Sequence, residues 1–248
     1  MHWVLLIALG WASVIPKEGT PPDKRYNSGM ALLNSSELLV FGGRGREGVL
    51  FNDLWVFETG NKSWSRIHPR SKKTPEPREG AVFVGIGEED AYLFGGKGYD
   101  LLFQDVWKFN NAEKKWTELE VEGSEGPPPG FNFDSGSNET NFCVSGGIFY
   151  EDNEPGSWLF NTSDKTWTDD CSDIETKKPN CDDGIIGCAQ VENYKFGGIS
   201  EEQGLINSLS NGKELSPNWE SPPARKKHTL TRVSNYLVLF GGIDEGNN

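Results

Sequence analysis

The sequence predicts an all-β fold built from a repeated unit of antiparallel strands, and three observations lead to this prediction. Thirty Gly and fourteen Pro in 248 residues indicate a chain that turns often. Short hydrophobic runs end in glycine doublets at regular intervals. Aromatic segments follow most of these doublets at a nearly fixed distance. Short strands separated by frequent turns are typical of a sandwich, a barrel or a propeller.

The glycine doublets define the length of the repeated unit. Each closes a short hydrophobic run, and successive doublets are 53, 51, 51 and 44 residues apart. The doublets are Gly42-Gly43, Gly95-Gly96, Gly146-Gly147, Gly197-Gly198 and Gly241-Gly242. A period of about 50 residues suits a four-stranded propeller blade, which has to stack on neighbouring blades because it cannot bury both of its faces alone.

Paired tryptophans give the second signal of the repeat. One Trp lies eleven or twelve residues after the second glycine of a doublet, and a solitary Trp follows nine residues later. The pairs are Trp55 and Trp64, Trp107 and Trp116, and Trp158 and Trp167. The fourth copy is degenerate, with Leu209 in the first position and Trp219 ten residues on. A new unit begins fourteen residues after the solitary Trp, at Arg78 and Gly130.

These coupled spacings resemble the kelch motif: an Arg-led strand, a strand ending in Gly-Gly, then Asn-Asp-x-Trp-x-Phe, then a solitary Trp. The resemblance covers nearly the whole chain and implies a kelch-type β-propeller of four-stranded antiparallel blades. The units are expected at about 25–77, 78–129, 130–183 and 184–224, with a partial unit at 225–248. The doublets would permit positive φ and close approach between neighbouring blades. Each solitary Trp would cover the outer edge of its blade.

The two ends of the chain allow different arrangements. Residues 1–24 are expected to end a preceding blade, since Trp11 precedes Arg25 by the same fourteen residues that separate Trp64 from Arg78. The alternative is a signal segment followed by a first strand. The favoured architecture of the propeller is an incomplete ring of six or seven blades. In the other arrangement, the last two strands join residues 1–16 to form a fifth blade.

Four cysteines, Cys143, Cys171, Cys181 and Cys188, crowd into the third and fourth units. A disulfide between Cys171 and Cys181 is the prediction, with Cys143 and Cys188 as a second pair; four free thiols are the alternative. Glycosylation sequons occur at Asn34, Asn61, Asn138 and Asn161. The compartment stays open between cytoplasmic and secretory, with the cysteines and sequons favouring the second.

Charge and residue patterns argue against several functions. A net charge of −13 argues against nucleic-acid binding, which needs clustered Lys and Arg. The three histidines lie far apart, and no zinc-type cysteine spacing is present. The sequence offers neither the Tyr/His cluster of copper radical oxidases nor the Glu/Asp/His iron site of plant specifier proteins, which share the kelch fold. We therefore expect no catalysis, cofactor, metal or membrane contact.

The kelch resemblance implies a protein-protein interaction scaffold that binds its partner through loops on one face. These loops join the second strand to the third, at 44–51, 97–104, 148–155 and 199–207, and the fourth to the next first strand, at 65–77, 117–129, 168–183 and 220–224. The candidate partner-binding residues are Arg44, Arg46, Lys97, Tyr99, Tyr150 and Glu151. The alternative is an extracellular propeller that binds a glycan or small ligand, with Tyr99, Phe103, Phe149 and Tyr150 stacking on sugar rings. Arg25, Arg78 and Arg225 could instead stabilise the channel mouth.

Overall fold

The computed structural model describes residues 4–7, 11–14, 19–123, 126–150, 156–169, 171–172 and 174, and then 185–186, 189–191, 194–196, 199–200, 204–205, 209–210, 214–215, 225–233 and 236–244. In these ranges the regular structure is strand, apart from one 3₁₀ turn at Arg46–Gly48. The described part contains no helix long and apolar enough to cross a membrane.

The described strands pair antiparallel into sheets, most of them four-stranded as expected of a kelch-type propeller. In chain order they are β1 (Val4–Ile7), β2 (Trp11–Val14), β3 (Gly29–Leu33), β4 (Glu37–Phe41), β5 (Leu54–Glu58), β6 (Ser63–Ile67), β7 (Val82–Ile86), β8 (Asp90–Phe94), β9 (Val106–Asn110), β10 (Lys115–Leu119), β11 (Phe131–Ser137), β12 (Asn141–Ile148), β13 (Ser157–Asn161), β14 (Thr166–Thr168), β15 (Ile185–Ile186), β16 (Ala189–Val191), β17 (Tyr194–Phe196), β18 (Ile199–Ser200), β19 (Gly204–Leu205), β20 (Leu209–Ser210), β21 (Glu214–Leu215), β22 (Arg225–Val233) and β23 (Tyr236–Asp244).

Five of these sheets have four strands and are called blades A to E below. Blade A is β3–β6, blade B is β7–β10 and blade C is β11–β14. Blade D has the order β16-β17-β20-β21, and a separate three-stranded sheet has the order β15-β18-β19. The inner strands of blades E and A, A and B, B and C, and D and E lie in contact, as in a propeller.

Blade E contains strands from both ends of the chain. Its order is β2-β1-β23-β22, and Leu6 of β1 lies opposite Val238 of β23. Strands from residues 4–14 and from residues 225–244 thus pair within one sheet. The hydrophobic segment VLLI pairs with the edge of the C-terminal hairpin because that edge offers unpaired backbone groups.

The solitary tryptophans lie between blades and not on the outer edge, which corrects the expectation for their rings. Each packs against the Phe that precedes the glycine doublet of the neighbouring blade, and all three side chains are at most 7% exposed. The pairs are Trp64 with Phe240 at 5.5 Å, Trp116 with Phe41 at 5.3 Å and Trp167 with Phe94 at 5.0 Å between ring centroids. A ring of this size stabilises most where two blades exclude water from both of its sides.

The connections between blades cover the outer strands instead. Arg70 donates its backbone N–H to Lys114 at 2.7 Å, and Ser71 accepts the N–H of Trp116 at 3.1 Å. Farther along, Glu122 donates to the carbonyl of Lys165 at 3.0 Å. Part of the segments 65–77 and 117–129 therefore runs along the outer strand of the next blade, where it protects an exposed sheet edge.

The glycine doublets join neighbouring blades through backbone contacts. Gly42, Gly95 and Gly241 have φ values of 63°, 65° and 71°. Each faces the carbonyl of the residue that begins the next blade, namely Arg78, Gly130 and Arg25. The second glycine of each doublet donates its N–H to the same carbonyl, at 2.9, 2.8 and 3.2 Å. The close approach between blades that the doublets predict is thus present.

We expect Gly95→Ala to lower the free energy of unfolding by about 2–4 kcal/mol, because a left-handed non-glycine residue costs about 1–2 kcal/mol and overpacking costs about 1–3 kcal/mol more. A Cβ at this position would lie 2.8 Å from the carbonyl oxygen of Gly130. Gly87 is the matched control, since its φ is 68° but a Cβ there would meet nothing within 4 Å. Urea unfolding of both variants measures the difference, and equal losses would contradict the role given to the doublet.

Candidate functional site

Two buried arginines fix the bases of the loops that join the second and third strands. Arg25 donates to Asp53 at 2.5 and 3.0 Å and to the carbonyl of Gly42 at 3.0 Å. Arg78 repeats this arrangement with Asp105, at 2.5 and 2.9 Å, and with the carbonyl of Gly95 at 3.0 Å. Each guanidinium thus ties together the two ends of one loop. Arginine suits this task because its planar fork binds a carboxylate at two points.

Aromatic residues complete each loop base. The ring of Phe51 lies 3.9 Å from the guanidinium carbon of Arg25, and Phe103 lies 3.5 Å from that of Arg78. The indole of Trp55 donates to Asp53 at 2.7 Å. Burial raises the pKa of Asp53, but the hydrogen bonds and charge of Arg25 and the Trp55 indole outweigh it and hold that pKa below its ordinary value. The carboxylate therefore stays ionised at neutral pH, as the ion pair requires.

The loops of blades A, B and C contact one another in series. The backbone N–H of Leu50 donates to the hydroxyl of Tyr99 at 3.1 Å. Arg44 donates to Glu79 at 2.6 Å. Lys97 places its ammonium 5.4 Å from the centre of the Tyr150 ring. The described residues of 44–51, 97–104 and 148–150 therefore form one surface, called the upper loop surface below.

A series of backbone hydrogen bonds holds the blades together beneath this surface. Asn27 donates to the carbonyl of Lys227 at 3.0 Å, Gly80 to that of Asn27 at 2.8 Å, and Asn132 to that of Gly80 at 2.8 Å. These four residues occupy the same position in blades E, A, B and C, and all have positive φ, between 52° and 64°. The carboxylate of Glu79 adds a bond from the side chain of Asn27 at 3.0 Å. These bonds fix the spacing between the loops.

The upper loop surface carries the exposed hydrophobic side chains of the described part of the molecule. They are Val49 at 48% exposed, Tyr99 at 62%, Leu101 at 51%, Ile148 at 49% and Tyr150 at 60%. Single exposed hydrophobic residues are ordinary, whereas a contiguous exposed hydrophobic patch is typical of interaction surfaces. Loops held by a rigid scaffold are also where binding residues are usually found.

The structure distributes the six predicted binding residues among different roles. Tyr99 and Tyr150 are exposed, and Arg46 is exposed on the 3₁₀ turn. Arg44 is half-buried and engaged with Glu79, so it fixes loop position. Lys97 is half-buried beside aromatic rings. Glu151 lies outside the described residues, as do Gly197, Gly198 and Trp219 of the structural repeat.

Sequence reasoning missed Glu79 and the aliphatic part of the surface. Glu79 follows the inner-strand Arg78, and its partner Arg44 follows the doublet of the preceding unit. Comparing the residue after the doublet of one unit with the residue after the first Arg of the next unit would have revealed that pair. Of the four rings required by the glycan alternative, Phe103 stacks on Arg78 and Phe149 packs on Phe133 at 5.7 Å. Tyr99 and Tyr150 alone among those four are exposed.

His228 lies in the framework, away from the upper loop surface. Its side chain is buried, and Nε2 lies 3.0 Å from the carbonyl oxygen of Phe196. The Phe196 ring meets the imidazole edge-on at 5.3 Å. Burial, with a contribution from the charge of Arg225, lowers the pKa of His228 to about 3. A neutral, packed histidine of this kind serves structure.

We expect the stability of the protein to fall on acidification partly because of His228. Between pH 6.5 and about 3, the unfolded chain binds a proton at this residue that the folded chain does not. Stability therefore rises with pH across this window, by about 1.4 kcal/mol per pH unit from this group. His228→Gln should reduce the loss between pH 7 and pH 5 by about 2 kcal/mol in urea unfolding. Equal losses in the two proteins would contradict this account.

The disulfide differs from the predicted one. The structure pairs Cys171 with Cys143, whose Cα atoms are 6.0 Å apart, and not with Cys181. Cys143 lies on β12 opposite Leu159 of β13, which lies opposite Thr168 of β14. Cys171 comes shortly after the end of β14, and Ile174 just beyond it is buried. Cys181 and Cys188 are outside the described residues.

The described residues contain no group of three or more His, Cys, Asp or Glu side chains that could hold a metal ion. Arg225 donates to the carbonyl of Gly241 at 2.9 Å, the contact that Arg25 and Arg78 make in their own blades. The three arginines predicted at the inner-strand starts thus have equivalent positions in the framework.

Comparison with known proteins gives a family match and several relatives. The family model described as the KLHDC2/KLHL20/DRC7 Kelch-repeats domain matches residues 1–198. The N-(sulfonatooxy)prop-2-enimidothioate sulfolyase of Thlaspi arvense is 31% identical over 94% of this chain and 74% of its own length. The flagellar outer-arm dynein alpha chain of Chlamydomonas reinhardtii is 28% identical over 94% of this chain but 6% of its own length. An F-box/kelch-repeat protein of Arabidopsis thaliana is 32% identical over 40% of this chain and 22% of its own.

The sulfolyase match corrects one prediction made from the sequence. The chain was expected not to be an enzyme because no catalytic pattern stands out in it. A protein that matches 94% of its length at 31% identity nevertheless carries the name of a lyase. This match contradicts the prediction that the chain lacks catalytic activity, a prediction that rested on local sequence patterns alone.

Proposed function

Because the chain belongs to the kelch-repeat family, we propose that it binds a protein partner through its upper loop surface. The observation that carries this proposal is the grouping of exposed hydrophobic side chains on adjoining loops of three successive blades. Tyrosine at the centre of such a group is typical of the residues that dominate protein-protein binding energy.

The rigidity of the loops supports the same proposal. Arg25 and Arg78 brace the loop bases from within the framework, and the Arg44–Glu79 pair links the first loop to the next blade. A surface ordered before binding loses less conformational entropy when a partner docks. The hydroxyl of Tyr99 is used to hold Leu50, while its ring remains 62% exposed and open to a partner.

We expect the double variant Tyr99→Ala/Tyr150→Ala to lose partner binding by at least about 30-fold, since truncating a binding hot spot costs about 2 kcal/mol or more. Folding stability should fall by no more than about 1–2 kcal/mol, since both rings are exposed and the truncation removes the bond from the Leu50 N–H to the Tyr99 hydroxyl. Proteins captured by the full chain from its own cells would be identified by mass spectrometry and titrated after purification. Glu139→Ala, in the exposed turn between β11 and β12, is the control. Captured proteins that bind the double variant as tightly as the wild type would contradict the proposal.

Lyase activity is a second candidate function, and the match to the sulfolyase favours it. The test is to incubate the purified chain with N-(sulfonatooxy)prop-2-enimidothioate and to follow the release of sulfate. Release faster than with the heat-denatured chain would support this function. Equal rates would contradict it.

A further inference from the structure

The upper loop surface differs from blade to blade at the residue that follows each glycine doublet and at its contact with the next blade. In blade A, Arg44 follows the glycine doublet and forms an isolated β-bridge with Tyr26, the residue after Arg25. In blade B, the corresponding bridge joins Lys97 to Glu79, the residue after Arg78. In blade C the corresponding pair is Ile148 and Phe131. From one blade to the next, Arg44 of blade A forms an ion pair with Glu79 of blade B. If blades B and C repeated this contact, Lys97 of blade B would form an ion pair with an acidic residue at position 131 of blade C.

Blade C instead presents an aromatic ring at that position. The ammonium of Lys97 lies 5.3 Å from the centre of the Phe131 ring and 5.4 Å from that of Tyr150. Among the residues that the structure describes, Lys97 has no carboxylate within ion-pair distance. The carboxylate of Glu79 is directed to Arg44 and Asn27 and forms no ion pair with Lys97.

The rings hold the ammonium without neutralising it. A cation beside an aromatic face is attracted by the ring quadrupole, but its full positive charge remains available to an anion. Lys97 is half-buried, so part of its hydration shell is already replaced by the two rings. The whole chain carries a net charge of −13, so a cation held without a carboxylate partner contrasts with the overall charge and attracts an acidic group.

We propose that Lys97 receives the carboxylate of an aspartate or glutamate side chain from the partner, with Tyr99 and Tyr150 packing against apolar residues beside that acid. This inference rests on the proposed binding function of the upper loop surface. A carboxylate fits better than a phosphate, because phosphate recognition generally uses a cluster of arginines. Arg44, at the position of blade A that corresponds to Lys97, is held by Glu79 and by the carbonyl of Gly48.

The experiment selects binding peptides from a random displayed library with the full chain as bait. Selected peptides should contain Asp or Glu next to apolar residues, and changing that acid to its amide should weaken binding roughly ten-fold. Lys97→Met should weaken binding of the acidic peptide by the same factor and should not weaken binding of the amide peptide any further. Lys97→Arg should retain most of the affinity. Lys115→Met, an exposed lysine at the start of β10, should leave binding unchanged.

The outcomes separate this inference from the proposed function. Peptides that require Tyr99 and Tyr150 but show no preference for an acid, and bind Lys97→Met like the wild type, would overturn the inference and leave the proposed function intact. Tighter binding of phosphorylated peptides than of their acidic counterparts would also overturn it. A library in which no binder depends on Tyr99 or Tyr150 would overturn both.

Discussion

Replacing Trp116 with alanine is expected to lower the free energy of unfolding by about 3–5 kcal/mol, the range for truncating a buried aromatic residue. The Trp116 ring is 2% exposed and lies between blades A and B. It meets Phe41 of blade A at 5.3 Å, and Phe83 and Phe109 of its own blade at 5.9 and 5.1 Å. Removing it leaves a cavity at the contact between blades, which neither blade can close by itself.

Urea unfolding measured by tryptophan fluorescence and circular dichroism would test this expectation. Lys115→Ala is the control, because this neighbouring residue on β10 is exposed and should change stability by less than about 0.5 kcal/mol. A loss of under about 1 kcal/mol for Trp116→Ala would show that the ring does not hold the blades together.

Replacing Arg78 with methionine is expected to cost about 3–5 kcal/mol, because it leaves the carboxylate of Asp105 without its buried partner. The Arg78 side chain is 0% exposed and also donates to the carbonyls of Glu76 and Gly95. Methionine fills much of the volume but donates no hydrogen bond. The base of the loop 97–104 should open, and its backbone amides should exchange with solvent faster.

Two control variants separate the buried ion pair from general effects of charge. Lys73→Met removes the exposed pair with Glu118, in which the lysine side chain is 74% exposed, and such pairs contribute about 0–1 kcal/mol. Arg78→Lys keeps the charge but lacks the planar fork and should restore little stability. Rescue by lysine, or a loss like that of Lys73→Met, would contradict the role given to Arg78.

The repeat could be predicted from the sequence because its determinants are local. Glycine doublets and tryptophan spacings are set within one blade, so they appear as a period along the chain. The direction of each tryptophan ring could not be predicted in this way. Trp64 reaches Phe240, which lies 176 positions away along the chain, because the neighbouring blade includes the C-terminal strands.

The sequence predicted which loops form the candidate site but not the contacts between them, because those contacts form between different blades. Loops 44–51 and 97–104 follow from the repeat, but the pairing of Arg44 with Glu79 and the placement of Lys97 beside Phe131 arise between blades. The cysteine pairing likewise depends on where Cys171 lies relative to β12, and not on the short spacing between Cys171 and Cys181. Relation to a lyase appears only when the whole chain is compared.

The central claim, that a protein partner docks on the upper loop surface, is tested most directly by site-specific photocrosslinking. A benzophenone side chain would be placed at position 99, at position 150 or, as the control, at position 139, and the full chain would be irradiated in its own cells. The account predicts the same crosslinked partner from positions 99 and 150 and none from position 139. Crosslinking of a partner from position 139 alone would contradict it.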